Sequence, residues 1–159
     1  MDITFKTDYG KFNYRCAGLL IHKNKLLVMT DEYSPYYYLP GGRVTLHEVS
    51  TDTIVREIKE ALDIEVEVTR LLFIVENLFT EEQTNERYHE IGFYYLLNVL
   101  DLTTLPLDDE FTILENGERP LHFYWKRLED IKDLHIYPVF IKEHILNLPP
   151  HPHHIIEVK

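Results

Sequence analysis

The chain has 159 residues, 45% of them hydrophobic and 13% aromatic, with 16 basic against 27 acidic residues and a net charge of −11. Those proportions suit one folded domain spanning residues 1–159 and argue against disorder. The acidic balance disfavours binding along a long nucleic acid, and no apolar run reaches the ~18 residues a membrane helix needs. A small phosphorylated ligand remains compatible with this charge where a metal ion supplies the positive partner. The opening MDITFKTDYGKFNYR lacks the basic start and apolar run of a signal peptide, which points to a cytoplasmic protein. The single cysteine, Cys16, lies in the apolar run CAGLLI; without a disulfide partner it reads as an inert buried thiol in a reducing compartment.

In chain order, NYRCAGLLI and LLVMT flank the polar HKNK and predict a hairpin. YSPYYYLP predicts a short edge strand that ends at Pro40. A helix is predicted from about Ser50 to Leu62, with Ser50, Thr51 or Asp52 as its N-cap. VEVTRLLFIVENLFT and RYHEIGFYYLLNVL, on either side of EEQTNE, predict a second hairpin, and LHFYWKRL a further strand. LEDIKDL and PVFIKEHILNL predict helices, the second entered through Pro138. LPPHPHHIIEVK closes the chain as a proline-rich turn and a short strand. Hairpins separated by a helix, with more helix near the end, predict an α+β sandwich around a mixed sheet.

The helix carries the chemistry. At ~100° per residue, Ile54, Val55, Ile58 and Leu62 form the buried stripe. Glu57 falls about 60° to one side of Ile54 and Glu60 about 60° beyond it, so the two acids share one edge, with Ala61 between Glu57 and the stripe. Like charges at this spacing repel, and a partly buried carboxylate costs more still unless a cation pairs with it. A hard divalent ion would offset this: Mg²⁺ takes carboxylate oxygens, keeps several waters and bridges to phosphates. Before the helix, Gly41 and Gly42 allow close approach of the backbone to a ligand, and Glu48 stands where a carboxylate joins the same site.

These residues resemble the Nudix signature, G-x5-E-x7-R-E-U-x-E-E-x-G-U, with U a bulky aliphatic residue. Gly42, Glu48, Arg56, Glu57, Ile58, Glu60 and Ile64 fill seven of its nine specified positions at the correct spacing. The likeness extends over roughly residues 13 to 147. It implies a Nudix-type α/β/α sandwich and Mg²⁺- or Mn²⁺-dependent hydrolysis of a pyrophosphate bond in a nucleoside diphosphate linked to another moiety. It further implies Glu57, Glu60 and the Gly42 carbonyl as metal ligands, with Glu57 also orienting or deprotonating water. By the same resemblance Glu48 is a supporting acid, Arg56 the arginine that ties the box together, and Gly42 with Arg43 the backbone and side chain nearest the substrate.

Two positions depart from the signature. Asp63 replaces a glycine, a mild change because aspartate tolerates the left-handed conformation of a helix C-cap. Ala61 replaces a glutamate that is among the family's principal metal ligands. Three readings follow: metal binding with fewer ligands, ligand binding without turnover, or a glutamate replaced to trap a substrate. Glu90, in RYHEIGFYY, is a candidate for a catalytic acid supplied from elsewhere. His47 reads as an exposed loop residue, HPHH at 151–154 as a solvated tail, and Tyr36, Tyr37 and Tyr38 as half-buried packing with a face that a nucleobase could use. The nucleoside and the oligomeric state are not set by these residues.

Overall fold

The computed structural model describes residues 1–159. Strand alternation sorts the apolar residues onto two faces. Along β2 (Gly10–His22) and β3 (Lys25–Asp31), Cys16, Leu20, Leu27 and Met29 belong to one core, and Ala17, Leu19, Leu26 and Val28 to the other. A sheet apolar on both sides must be covered on both sides. Helix α1 (Ser50–Leu62) covers the first with Ile54, Ile58 and Leu62, the stripe its spacing predicted. A 3₁₀ segment, Leu128–Asp133, and the short α2 (Ile141–His144) cover the second with Ile131, Ile141 and the neighbouring Phe140 and Ile145. The result is the α+β sandwich with a mixed sheet.

The remaining strands are β1 (Thr4–Thr7), β4 (Gly41–Arg43), β5 (Val66–Thr80), β6 (Arg87–Val99), β7 (Glu110–Glu115), β8 (Arg119–Arg127) and β9 (His153–Val158). Their order is β7-β8-β3-β2-β6-β5-β9, with β1 and β4 also paired to β2. The β2–β6 and β5–β9 pairs are parallel and the others antiparallel. Both predicted hairpins are present, as β2–β3 and β5–β6. What positions the site is a change of partner along β2. It meets β3 only at Ile21↔Leu26 and His22↔Lys25, whereas at Arg15–Ala17 the same edge is taken by β4. Between these pairings the sheet opens, and β4 leads straight into the loop before α1.

Several elements differ from the sequence expectation. Tyr36–Pro40 forms no strand: Tyr38 and Tyr37 make isolated bridges to Met29 and Ile136, and the strand begins after Pro40. The segment after Pro138 makes a single α-helical turn, because Phe140, Ile141 and Ile145 are consumed by the core and Pro149 and Pro150 cannot extend a helix. The N-cap of α1 is Val49, without a side-chain cap bond. The hydroxyl of Ser50 is drawn instead to that of Tyr95, and Thr53 Oγ1 donates to Glu48. The proline-rich turn and short strand expected at the end are present: His151 and Pro152 are exposed and precede β9, in which exposed His154 places Nε2 2.7 Å from Glu76 Oε2. Asp63 takes the left-handed C-cap (φ 55, ψ 39) and its N–H donates to the Lys59 carbonyl at 2.9 Å.

Candidate active site

Arg56 organises the loop–helix segment. Its Nε and Nη2 donate to Glu48 Oε2 and Oε1 at 3.0 and 2.9 Å, the paired geometry that a guanidinium makes with a carboxylate. Its Nη1 donates to Glu57 Oε1 and to Glu60 Oε1, both at 3.1 Å. Glu48 also accepts from Thr45 and Thr53 hydroxyls at 3.0 and 2.6 Å. Bonds from Arg56 and Thr53 hold its carboxyl at about 2, well below its ordinary 4.5. Glu48 is therefore engaged in tying the loop to the helix, with its lone pairs directed at protein donors.

Glu57 and Glu60 stand differently. Their Oε1 atoms converge on one guanidinium nitrogen, and their side chains are 22% and 54% exposed. Burial pushes the Glu57 carboxyl above its ordinary range, against the opposing pull of Arg56. Glu57 lies directly against the backbone of Gly42, where a Cβ would collide with its carboxylate. At Gly41 a Cβ would strike the backbone of Cys16 and Ala17, so β4 needs both glycines for its close approach to β2 and to Glu57. Gly42 accepts a long contact from the Cys16 thiol, 3.7 Å away. Burial raises that thiol to about 12, which makes it inert.

Two cavities meet at this point. The smaller, of about 540 Å³, is walled by Gly41, Glu57, Glu60 and Ala61 on one side and by Glu115 and Asn116 of the β7–β8 hairpin on the other. Ala61 is half-buried and packs against the core beneath α1. No three acid, histidine or cysteine side chains converge as a preformed metal cluster. The donors fit a hard divalent ion in kind, being carboxylate and carbonyl oxygens, and their small number suits an ion that keeps water and phosphate ligands.

The larger cavity, a cleft of about 700 Å³, adjoins the first through Arg15, Tyr38 and Arg119, which line both. Gly42, Arg43, Asn77 and Glu90 line it as well. Glu90 is thus not brought into the pocket of Glu57 and Glu60; it is buried beside Asn13, whose Nδ2 donates to it at 3.4 Å. Across the β5–β6 pair stands Asn77, whose Oδ1 is buried without a hydrogen-bond partner. Also in its lining, Tyr36 packs edge-on against Tyr137 with ring centres 4.8 Å apart, and His135 lies 5.3 Å from Tyr137. His47 is exposed, with φ 69.

Sequence reading passed over Arg15, Arg119, Glu115, Asn77, His135 and Tyr137. A signal existed for Arg15 alone, a charge inside the apolar central strand NYRCAGLLI. The others reach the site from hairpins and loops distant in sequence, which no local pattern reveals.

The sequence model described as the NUDIX domain matches residues 13–155. The chain belongs to the Nudix family. Its fold is similar to that of a UDP-X diphosphatase (TM-score 0.64, 13% identity, covering 94% of this chain and 69% of that one). It is also similar to a Nudix hydrolase from Nitrosomonas europaea (0.61, 18%, 92% and 79%) and to an ADP-ribose pyrophosphatase from Streptococcus suis (0.57, 17%, 91% and 98%). No curated protein matches the chain significantly. The Nudix box of this chain is the loop–helix segment from Gly42 to Ile64, and no helix of the fold is long and apolar enough to cross a membrane.

Proposed function

We propose that this Nudix protein is a metal-dependent hydrolase that cleaves a pyrophosphate bond in a nucleoside diphosphate joined to another moiety. The observation that carries the reading is the convergence of Glu57 and Glu60 on one cation at the wall of a pocket opening into a nucleotide-sized cleft. Mg²⁺ or Mn²⁺ would be held by Glu57, Glu60 and the Gly42 carbonyl. Such an ion supplies neutralisation of the pyrophosphate charge and acidifies bound water.

The chain's own groups do the rest. Arg56 holds both carboxylates on the same side of α1. Glu57, with its pKa raised by burial, accepts the proton of the attacking water as its oxygen bonds to phosphorus and the bridging P–O bond breaks. Glu48 keeps Arg56 in place. Arg43 contacts substrate in the cleft. Glu90 serves as a supporting acid from the cleft side. Tyr36 and Tyr137 in the cleft lining offer rings for a nucleobase. The substrate is a small soluble nucleotide derivative, and the location cytoplasmic.

Ala61 favours a second reading, in which the site retains a phosphorylated ligand without turnover. Incubating the protein with ADP-ribose, UDP-sugars, nucleoside triphosphates and dinucleoside polyphosphates, with Mg²⁺ or with chelator, separates the two. Metal-dependent release of a nucleoside monophosphate is the result expected of the hydrolase. Ligand-induced stabilisation with no product across the panel is the result expected of the binding protein.

A further inference from the structure

Two arginines line both cavities, and they differ in their partners. Arg119 is neutralised by Asp31, with Nη2 2.9 Å from Oδ2. Arg15 is half-buried, and no carboxylate oxygen comes within the 4.0 Å of an ion pair. Its one hydrogen bond runs from Nη2 to the Leu39 carbonyl at 3.3 Å. A guanidinium carries five N–H donors, so most of the donors of Arg15 have no protein acceptor. The field of the buried Glu90 carboxylate offsets the desolvation of Arg15 and keeps it charged, but supplies no acceptor for its open N–H groups, which an anionic ligand would complete. The position fits such a ligand. Arg15 stands in β2 where β4 joins it, opposite Arg43 in the strand register, with Glu57 and Glu60 on one side and the 700 Å³ cleft on the other. A cavity of that size is in the range that holds a drug-sized or nucleoside-sized group.

We propose that Arg15 is a positioning residue that grips the phosphate on the cleft side of the scissile linkage, so that the substrate lies across the junction with its bulky group in the cleft and its other phosphate at the acids. The inference rests on the proposed function for what is cleaved, and stands apart from it for what is bound. It also defines the substrate class more closely. A compound with a large group attached to a diphosphate uses Arg15 and the cleft together, whereas inorganic pyrophosphate uses only the first.

The test reads binding and stability, set beside turnover of the substrate panel above. Calorimetric titration with inorganic pyrophosphate, in chelator and low salt, is run on the unmodified protein, Arg15→Lys and Arg15→Gln. Saturable binding that weakens at least tenfold in Arg15→Gln and stays within threefold in Arg15→Lys is expected. Thermal unfolding of ligand-free Arg15→Met supplies the second readout: a Tm within about two degrees is expected, because the open N–H donors serve the ligand and not the fold. A Tm lowered by several degrees assigns Arg15 to the architecture and overturns the proposal. So does equal pyrophosphate affinity in all forms, or no saturable binding by the unmodified protein. Arg15-dependent binding with no turnover of any substrate would sink the hydrolase reading alone; turnover with Arg15-independent binding would sink the subsite alone.

Discussion

Replacing Glu48 by glutamine removes one negative charge from the centre of the Arg56 cluster while keeping the shape of the side chain. The carboxyl is held at about 2 against an ordinary 4.5, and a full linkage of that size is worth about 3 kcal/mol at neutral pH. A fifth of the side chain is exposed, so solvent screening reduces the figure to about 1–2 kcal/mol. In a chain of this length that corresponds to a Tm lower by about 2–8 °C. The pH dependence follows from the sign. A depressed carboxyl stabilises the fold above its unfolded pKa, and that contribution is lost as pH falls from about 4.5 through about 2. Thermal unfolding of both forms at pH 7, 4 and 2 is the assay. The gap between unmodified and Glu48→Gln proteins is expected to be full at pH 7, partial at pH 4 and nearly closed at pH 2. An equal gap at all three, or none at pH 7, would refute the view that Glu48 acts as the ionised partner of Arg56.

Gly42→Ala places a methyl group on the Glu57 carboxylate; since that carboxylate is the end of a flexible side chain, the fold should survive with Tm within a few degrees, while Mn²⁺ affinity measured by electron paramagnetic resonance falls at least tenfold. Ala61→Glu adds a third acid beside Glu57 and Glu60 in a half-buried position, so the metal-free Tm should drop by a few degrees and recover on adding Mg²⁺, with hydrolysis faster by about tenfold or more, a gain of about 1.4 kcal/mol or more in transition-state binding. Burial raises the Glu57 carboxyl, so metal affinity should fall away on acidification above pH 4.5, the ordinary carboxyl value, and titration of Mn²⁺ affinity against pH checks this; loss only below that value would contradict it.

The box was legible because its residues are local. Ile54, Ile58 and Leu62 declare a buried stripe by spacing alone, and Arg56, Glu57 and Glu60 follow from the same period. The two hairpins were legible for a similar reason, since β-rich runs flank short polar turns. The terminal helix is shorter than its spacing predicts: in PVFIKEHILNL, Ile141 of the single turn and the flanking Phe140 and Ile145 fill the core, and the prolines stop it. YSPYYYLP has a strand-like composition because tyrosines suit sheets, whereas here Tyr36 and Tyr137 pack on each other in the cleft lining. The cleft itself was not legible. It is assembled from β2, β5, β6, the β7–β8 hairpin and the segment at 135–138, and its cations and amide come together only through sheet order, which no window of sequence contains.

Glu57 and Glu60 are proposed to form a working hydrolytic centre despite Ala61. This is tested most directly by turnover of a nucleoside diphosphate derivative with Mg²⁺, comparing the unmodified protein with Glu57→Gln of matched Tm. Measurable release of nucleoside monophosphate by the first is expected, with a loss of at least a hundredfold in the second, the scale of a displaced acid–base group. Equal rates in the two forms would contradict it.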